Sequence, residues 1–390
     1  MVNERSYIKI LNIKAINNVL SAEIDCSRDL TKFFNSNYFY AEYNEKVSDT
    51  NKSMLAIPVL AAVITIAWAA DADIYLESID KKFFNSLNKI ESIFKTWFPK
   101  FSFSTEYHIE NYQINSLNNE SYGLLYSGGL DSLSSYIKHK KETPSLISIW
   151  GADIPLNKTE FWDKVKYKVT QLAEMDDIKC YFIKTNVREM MNENLLNKTY
   201  LEGEDTNWWL SVSHGLILTS LTSLLPIKTL IMASSMDENE KVPHGSDLFK
   251  FMDYRWADSS LIYDCNLSRH EKIKYLLRGN TQYYQFLRVC YTQFQDYNCG
   301  MCEKCLRTIT GLLIEGIDPN KCNFKVKNGF LDLIKYYLSN NIILLHSEIA
   351  AWEDIQNNIP EESSIEFSFG LKNLILMIII IKRTIKKEYF

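Results

Sequence analysis

The 390-residue chain sets 43 Lys and Arg against 48 Asp and Glu, a net charge of −5, with 46% hydrophobic and 23% charged residues. That is ordinary globular composition in a chain longer than one core usually supports, so two domains or one core with large additions are expected. The acidic balance and the lack of any Arg/Lys-rich tract argue against a general nucleic-acid surface.

In chain order, residues 1 to about 50 hold short alternating runs such as Ser6-Tyr7-Ile8-Lys9-Ile10, which predict strands. Residues 54–70 carry no charge and include Pro58. They sit at the lower edge of membrane-spanning length without basic flanks of a signal type, and read as a buried helix. Residues 80–97 predict a second helix and 101–114 an extended segment. From Tyr122 the pattern alternates, with strands at 123–126, 146–150, 180–185 and 229–233 and helices near 130–140, 157–175, 207–223 and 268–278. Apolar strands alternating with helices predict an α/β fold, a parallel sheet with helices on both faces. Ligands of such sheets gather at the C-terminal ends of the strands. One crevice should therefore be rimmed by residues 127–132, the turn at Gly151, Ala152 and Asp153, Asn186, and Ser234 with Ser235. The tail beyond Asn328 reads as helical, and its apolar run 374–381 is too short to cross a bilayer. The expected division is an N-terminal α+β accessory domain (1–118), a central domain (119–316) and a C-terminal helical extension (317–390).

The most informative stretch is Ser127-Gly128-Gly129-Leu130-Asp131-Ser132, between a short apolar run and a helix. A strand turning through two glycines into a helix N-terminus gathers backbone N–H groups about one point, with the positive end of the helix dipole behind them. Gly128 and Gly129 let the backbone approach a ligand where a Cβ would intrude. Ser127 and Ser132 add hydroxyl donors, and Asp131 can hold Mg²⁺ directly or through water. A Walker A loop would need Lys-Ser/Thr after its last glycine, so this is a different phosphate loop. A bare Gly-Gly pair would mark only a turn.

Cys290, Cys299, Cys302 and Cys305 form C-x8-C-x2-C-x2-C. Four thiolates close the tetrahedral shell of Zn²⁺ and make a structural site. Lys304 and Arg307 can offset part of its negative charge. With eight Cys and no signal peptide, a cytoplasmic, reducing location is expected and disulfides are disfavoured; spacing alone leaves an iron–sulfur cluster open.

The six-residue string resembles the signature of the PP-loop, or N-type ATP pyrophosphatase, superfamily. Together with the cysteine spacing it makes residues 121–316 similar to the 7-cyano-7-deazaguanine synthase family. The resemblance implies an adenine nucleotide alpha hydrolase-like sheet carrying a zinc knot, with ATP, Mg²⁺ and Zn²⁺ as cofactors. It implies that ATP is cleaved between its α and β phosphates, that a carboxylate or amide oxygen is adenylated, and that an amine or ammonia then forms a C–N bond. Asp131, Ser132 and Arg269 take the catalytic positions. Ser127, Gly128, Gly129, Leu130, Asp131, Ser132, Gly151, Asp153, Ser234 and Ser235 take the nucleotide-binding ones. The chain departs from the family in its long segments before the loop and after the knot, and in detail between Asn207 and Arg269. The acceptor, a small molecule or peptide, is therefore not carried over.

Several residues have bland readings beside functional ones. Ser268 and Glu271 fit a capping box as well as the family's segment around Arg269. Asp264 is a further candidate metal carboxylate. His214, on the predicted 207–223 helix with Asn207, Trp208 and Trp209, is at that spacing more often a packed residue. His244 and Asp247 could contact substrate or sit in a surface loop. Cys26 lacks a partner His, so no glutaminase is apparent. A sulfurtransferase using Cys180 or Cys265, and a catalytically silent nucleotide-binding subunit, are the alternative readings; oligomeric state stays open.

Overall fold

The computed structural model describes residues 5–117, 121–204, 206–234, 245–264, 266–291, 297–326, 330–340 and 346–359. The N-terminal part runs β1 (Ser6–Ile16), β2 (Val19–Cys26), β3 (Tyr38–Tyr43), α1 (Lys52–Ala70), β4 (Ala72–Asp80), α2 (Lys81–Trp97) and β5 (Tyr107–Gln113). The central part continues with β6 (Tyr122–Leu125), α3 (Leu130–Lys138), β7 (Ser145–Trp150), α4 (Thr159–Met175), β8 (Cys180–Thr185), α5 (Val187–Met190), α6 (Glu193–Tyr200), α7 (His214–Leu221), β9 (Thr229–Ala233), β10 (Ser260–Asp264) and α8 (Arg269–Glu271). Then come α9 (Glu303–Ile314), α10 (Phe330–Asn340) and α11 (His346–Asn357). The segments expected at 207–223 and 268–278 are interrupted helices: a π turn, Trp209–Ser213, leads into α7, and another, Lys272–Leu277, follows α8.

One sheet takes all these strands in the order β10-β9-β6-β7-β8-β3-β2-β1-β4-β5. The five strands from β10 to β8 are parallel, as the alternating pattern predicts. β6 lies between β7 and β9, so the connections leave it in opposite directions. That is the topological switch point at which a crevice opens beyond the strand ends.

Helices cover both faces because the strand residues alternate. Ile147, Ile183 and Leu230 pack with α1 and α7, whereas Leu146, Phe182 and Ile231 pack with α3 and α4. The uncharged run at 54–70 is the buried helix α1. It is long and apolar enough to cross a membrane, yet 94% of its most apolar window lies inside the fold.

The N-terminal strands share the central sheet. β3 pairs antiparallel with β8, Ala41 opposite Thr185 and Tyr43 opposite Ile183, so the boundary expected near residue 118 does not separate two sheets. Asn186, expected at the crevice, is used at this junction instead. Its Oδ1 accepts from Tyr40 N at 2.9 Å and its Nδ2 donates to Tyr38 O at 2.7 Å. Thr185 Oγ1 adds a bond to Tyr40 O at 2.8 Å. The side chain supplies backbone partners just where the ladder ends, and its amide is not part of the cavity wall. Asn186→Ala should leave two partly exposed backbone groups of β3 without their partner and cost about 1 kcal/mol, read as a lower denaturation midpoint. An unchanged midpoint would mean that the junction does not depend on this amide.

Candidate functional site

The loop 127–132 is held by its own hydroxyls and by one distant segment. Gly128 has φ +77°. Ser127 Oγ accepts from Gly129 N at 3.2 Å, Ser132 Oγ accepts from Ser127 N at 3.3 Å and donates to Gly129 O at 3.2 Å. Arg288 latches the turn from outside, its backbone N donating to Gly128 O at 2.7 Å and its Nε to Ser127 O at 3.0 Å. Gly129 precedes the first turn of α3, whose leading N–H groups have no intrahelical acceptor. Ser127, Gly129, Asp131 and Ser132 line a cavity of about 730 Å³. Leu130 turns its side chain into the core, and neither it nor Gly128 is part of the cavity wall.

Asp131 is the electrostatic centre. It is not on an open turn: its side chain is 17% exposed, and its Oδ1 meets Lys272 Nζ and its Oδ2 meets Arg269 Nη1, each at 2.9 Å. Burial by itself would raise the carboxyl, but Lys272 and then Arg269 outweigh it and hold Asp131 well below the usual carboxylate range. Lys272 Nζ also donates to Ser234 O, and Arg269 Nη2 to Thr308 Oγ1 at 3.3 Å on α9. Burial lowers the Arg269 guanidinium, with Asp131 opposing. Both oxygens of Asp131, the residue expected to hold Mg²⁺, are paired with cations in this structure.

The opposite wall is built from the ends of β7 and β9. Gly151 has φ +93°, and a Cβ there would lie 1.8 Å from Thr185 O; this forces the turn that points Ala152 and Asp153 into the cavity. Asp153 accepts from Trp209 Nε1 at 3.1 Å and lies 3.9 Å from His214 Nε2. Its side chain is 55% exposed at the cavity; partial withdrawal from water raises its carboxyl, but His214 and then Trp209 hold it below its ordinary range. Arg188 stacks over Trp209 at 4.7 Å and donates to Ala152 O at 3.1 Å, fixing that turn. His214 Nδ1 is 2.9 Å from Ser246 Oγ. Ser234 lines the cavity through the end of β9. Ser235, His244 and Cys265 lie outside the described residues. Asp264 does not reach the cavity: it is bound by Ser135 at 2.6 Å, Lys138 and His139 on the far side of α3.

The four cysteines come together as their spacing predicts. Their sulfurs all lie within 4.8 Å of one another, and Cys299 Sγ is 3.8 Å from Cys305 Sγ. A tetrahedron with Zn–S of about 2.3 Å has an edge of about 3.8 Å. Met301 N and Cys302 N donate to Cys299 Sγ at 3.4 and 3.3 Å, and Gly300 turns between them at φ +71°. Buried Asn298 ties the limbs, accepting from Val289 N at 2.8 Å and donating to Leu287 O at 2.9 Å. Thiols this close oppose one another's ionisation: Cys302, hydrogen-bonded to Cys290, is pushed up to about 12, and Cys305 is raised as well. A divalent cation reverses that penalty. The cluster can hold a metal ion such as zinc.

The knot also delivers charge to the cavity, since Cys302 caps α9 and the first turn carries Glu303, Lys304 and Arg307 into the wall. Arg307 pairs with buried Glu303 at 3.2 Å. The C-terminal extension takes part too. Asp354 of α11 accepts from His270 N at 3.1 Å and Ser268 Oγ at 3.3 Å, beside the capping box that starts α8, and Glu348 lines the cavity. Sequence reasoning missed Lys272, Arg288, Arg188 and Glu348. For Lys272 a signal existed: it stands three residues after Arg269, on the same face of a helical turn.

No protein-family model, curated protein or solved structure matches this chain.

Asp131→Ala should do more than remove a ligand contact. Leaving two buried cations uncompensated costs about 3 kcal/mol, and pyrophosphate should restore part of the lost melting temperature by supplying another anion. Because the folded carboxyl lies below its ordinary 3.8, the deficit is complete above that pH and closes only as pH falls through the folded value. A deficit that pyrophosphate leaves untouched would contradict an anion site here. For the knot, one zinc per chain is expected by metal analysis, and Cys302→Ser should lower thermal stability; iron with sulfide, or a metal content near zero, would overturn the zinc assignment.

Proposed function

We propose that the chain is an ATP-using enzyme of the PP-loop kind, with an adenine nucleotide alpha hydrolase-like core, allied to the 7-cyano-7-deazaguanine synthase family. It adenylates a carboxylate or amide oxygen and then forms a C–N bond. The observation that carries this reading is that loop 127–132, at the sheet's switch point, and Lys304 line one cavity, while Arg269 and Lys272, outside its lining, pair with Asp131. The loop N–H groups and Lys304 would meet a polyphosphate there as fixed donors.

In this reading the β and γ phosphates lie against the N–H groups at the start of α3 and the hydroxyls of Ser127 and Ser132. Ala152 and Asp153 border the nucleoside. An acceptor oxygen forms a bond to the α phosphorus, and pyrophosphate leaves with the electrons of the broken P–O bond. Lys272 and Arg269 take up the charge that develops on it. An incoming amine then bonds the activated carbonyl carbon, AMP leaves with the C–O electron pair, and the amine's proton passes to solvent.

Sulfur transfer is less well supported. Cys180 opens β8 at the N-terminal end of the strand, away from the crevice, and burial raises its thiol. Cys26 is pushed up to about 11 and Cys322 to about 12 by burial. Thiols with raised values are protonated and poorly nucleophilic at neutral pH.

Titration calorimetry with ATP, and release of labelled AMP from α-labelled ATP in the presence of candidate acids, test the proposal. ATP should bind, and Lys272→Met should weaken binding about tenfold through loss of one charge-assisted contact. Absence of ATP binding to the unaltered protein, or the same affinity in Lys272→Met, would sink the reading.

A further inference from the structure

The sheet ends on β5 without the features that usually close off an exposed edge. β5 is the last strand of the order and lies parallel to β4 on its one paired side. Ile74 N donates to Glu106 O at 2.9 Å. In a parallel ladder that turns the N–H and C=O groups of His108, Glu110 and Tyr112 toward β4, and those of Tyr107, Ile109, Asn111 and Gln113 outward. Among the described residues nothing bonds these outward groups. Natural edges are blunted by Lys, Pro, a bulge or short length. β5 has seven residues, Tyr-His-Ile-Glu-Asn-Tyr-Gln, with no Lys or Pro, and its register with β4 runs without a shift from Ile74 opposite Tyr107 to Asp80 opposite Gln113. The opposite edge, β10, is five residues long.

The strand is also complementary to itself. Set antiparallel to a second copy about Ile109, it places Ile109 opposite Ile109, Tyr107 opposite Asn111, and His108 opposite Glu110, each unlike pair occurring twice. The outward groups of Tyr107, Ile109 and Asn111 then all find partners, in about six backbone hydrogen bonds. His108 is already held over the exposed face: its ring stacks on Tyr75 at 4.3 Å and its Nε2 lies 3.7 Å from Asp73 Oδ2. Glu110, two residues on, is exposed on the same face. Moving the dyad one residue to Glu110 sets that carboxylate against itself, and moving it to His108 sets Glu106 against Glu110. Like charges directly opposite are unfavourable, so the dyad at Ile109 is preferred to either neighbour.

We propose that β5 is a self-association surface: two copies of the chain join antiparallel through their β5 edges about Ile109 and continue one sheet into the other. The paired segment is short, so the contact belongs with the small interfaces that form and dissolve with concentration. In the sheet, β5 is separated from the cavity strands β6, β7 and β9 by β4, β1, β2, β3 and β8. The inference therefore goes beyond the ATP-using reading and does not depend on it.

Sedimentation velocity on the full chain, from low to high micromolar concentration, is the test, and a monomer–dimer equilibrium is expected. Ile109→Pro removes an outward N–H and no bond to β4, at a position where an edge strand tolerates proline. It should abolish the dimer with little change in melting temperature. Glu110→Lys should weaken dimerisation at least about tenfold, because both symmetric pairs with His108 are lost. Adding His108→Glu to that variant should restore the dimer by rebuilding both pairs in reverse. A monomer at every concentration, a dimer that persists in Ile109→Pro, or a double variant that associates no better than Glu110→Lys each overturns the proposal. Glu110→Lys and its double variant change exposed side chains only, so the register is read even if Ile109→Pro folds poorly.

Discussion

Two cations share one carboxylate at the start of α3, and most of the site is organised around that shared charge. Asp131 is fixed by the loop that follows β6, Lys272 by the π turn after α8, and Arg269 by α8 itself, which also reaches Thr308 on α9. Lys272 then crosses to the carbonyl of Ser234 at the end of β9. Three buried ionisable groups are tolerable only because each compensates another; isolated, each would meet a desolvation penalty of several kcal/mol. Lys272 and Arg269 are held side by side by this one carboxylate.

Other parts of the chain keep that centre in place. The four-cysteine knot sets the direction of α9, and with it the positions of Thr308, Lys304 and Arg307. Arg288, two residues before the first cysteine, holds the loop carbonyls of Ser127 and Gly128. A metal in the knot would therefore act on the cavity through geometry. The C-terminal extension works in the same way: Asp354 receives the backbone N–H of His270 in the turn that carries Arg269, and a small apolar cluster of Leu306, Ile334, Ile349, Trp352 and Ile355 anchors that helix to α9.

The N-terminal strands have a different part. Their hydrogen bonds to β8 extend the sheet on the side away from β9, and α1 fills the face beneath them. A helix as uniformly apolar as α1 has to be buried all round; the packed faces of β1, β4 and α7 provide that environment.

The letters of this chain determined by themselves what depends on near neighbours. Alternation fixed the parallel strands β6 to β9, the glycine-bearing string fixed the turn into α3, and two-residue gaps fixed the cysteine cluster, because periodicity, left-handed backbone and ligand spacing are local properties. Tertiary structure decided what depends on distant partners. Arg269 meets Asp131 across 138 positions of sequence, a pairing that no local pattern announces. Asn186 has the strand-end position of a crevice residue, but the arrival of β3 beside β8 gave its amide backbone groups to bond. Asp247 could be read as a substrate contact or as part of a surface loop; only packing against Tyr263 showed that it is buried. Burial and long-range charge pairing are set by the whole fold, and no window of sequence contains them.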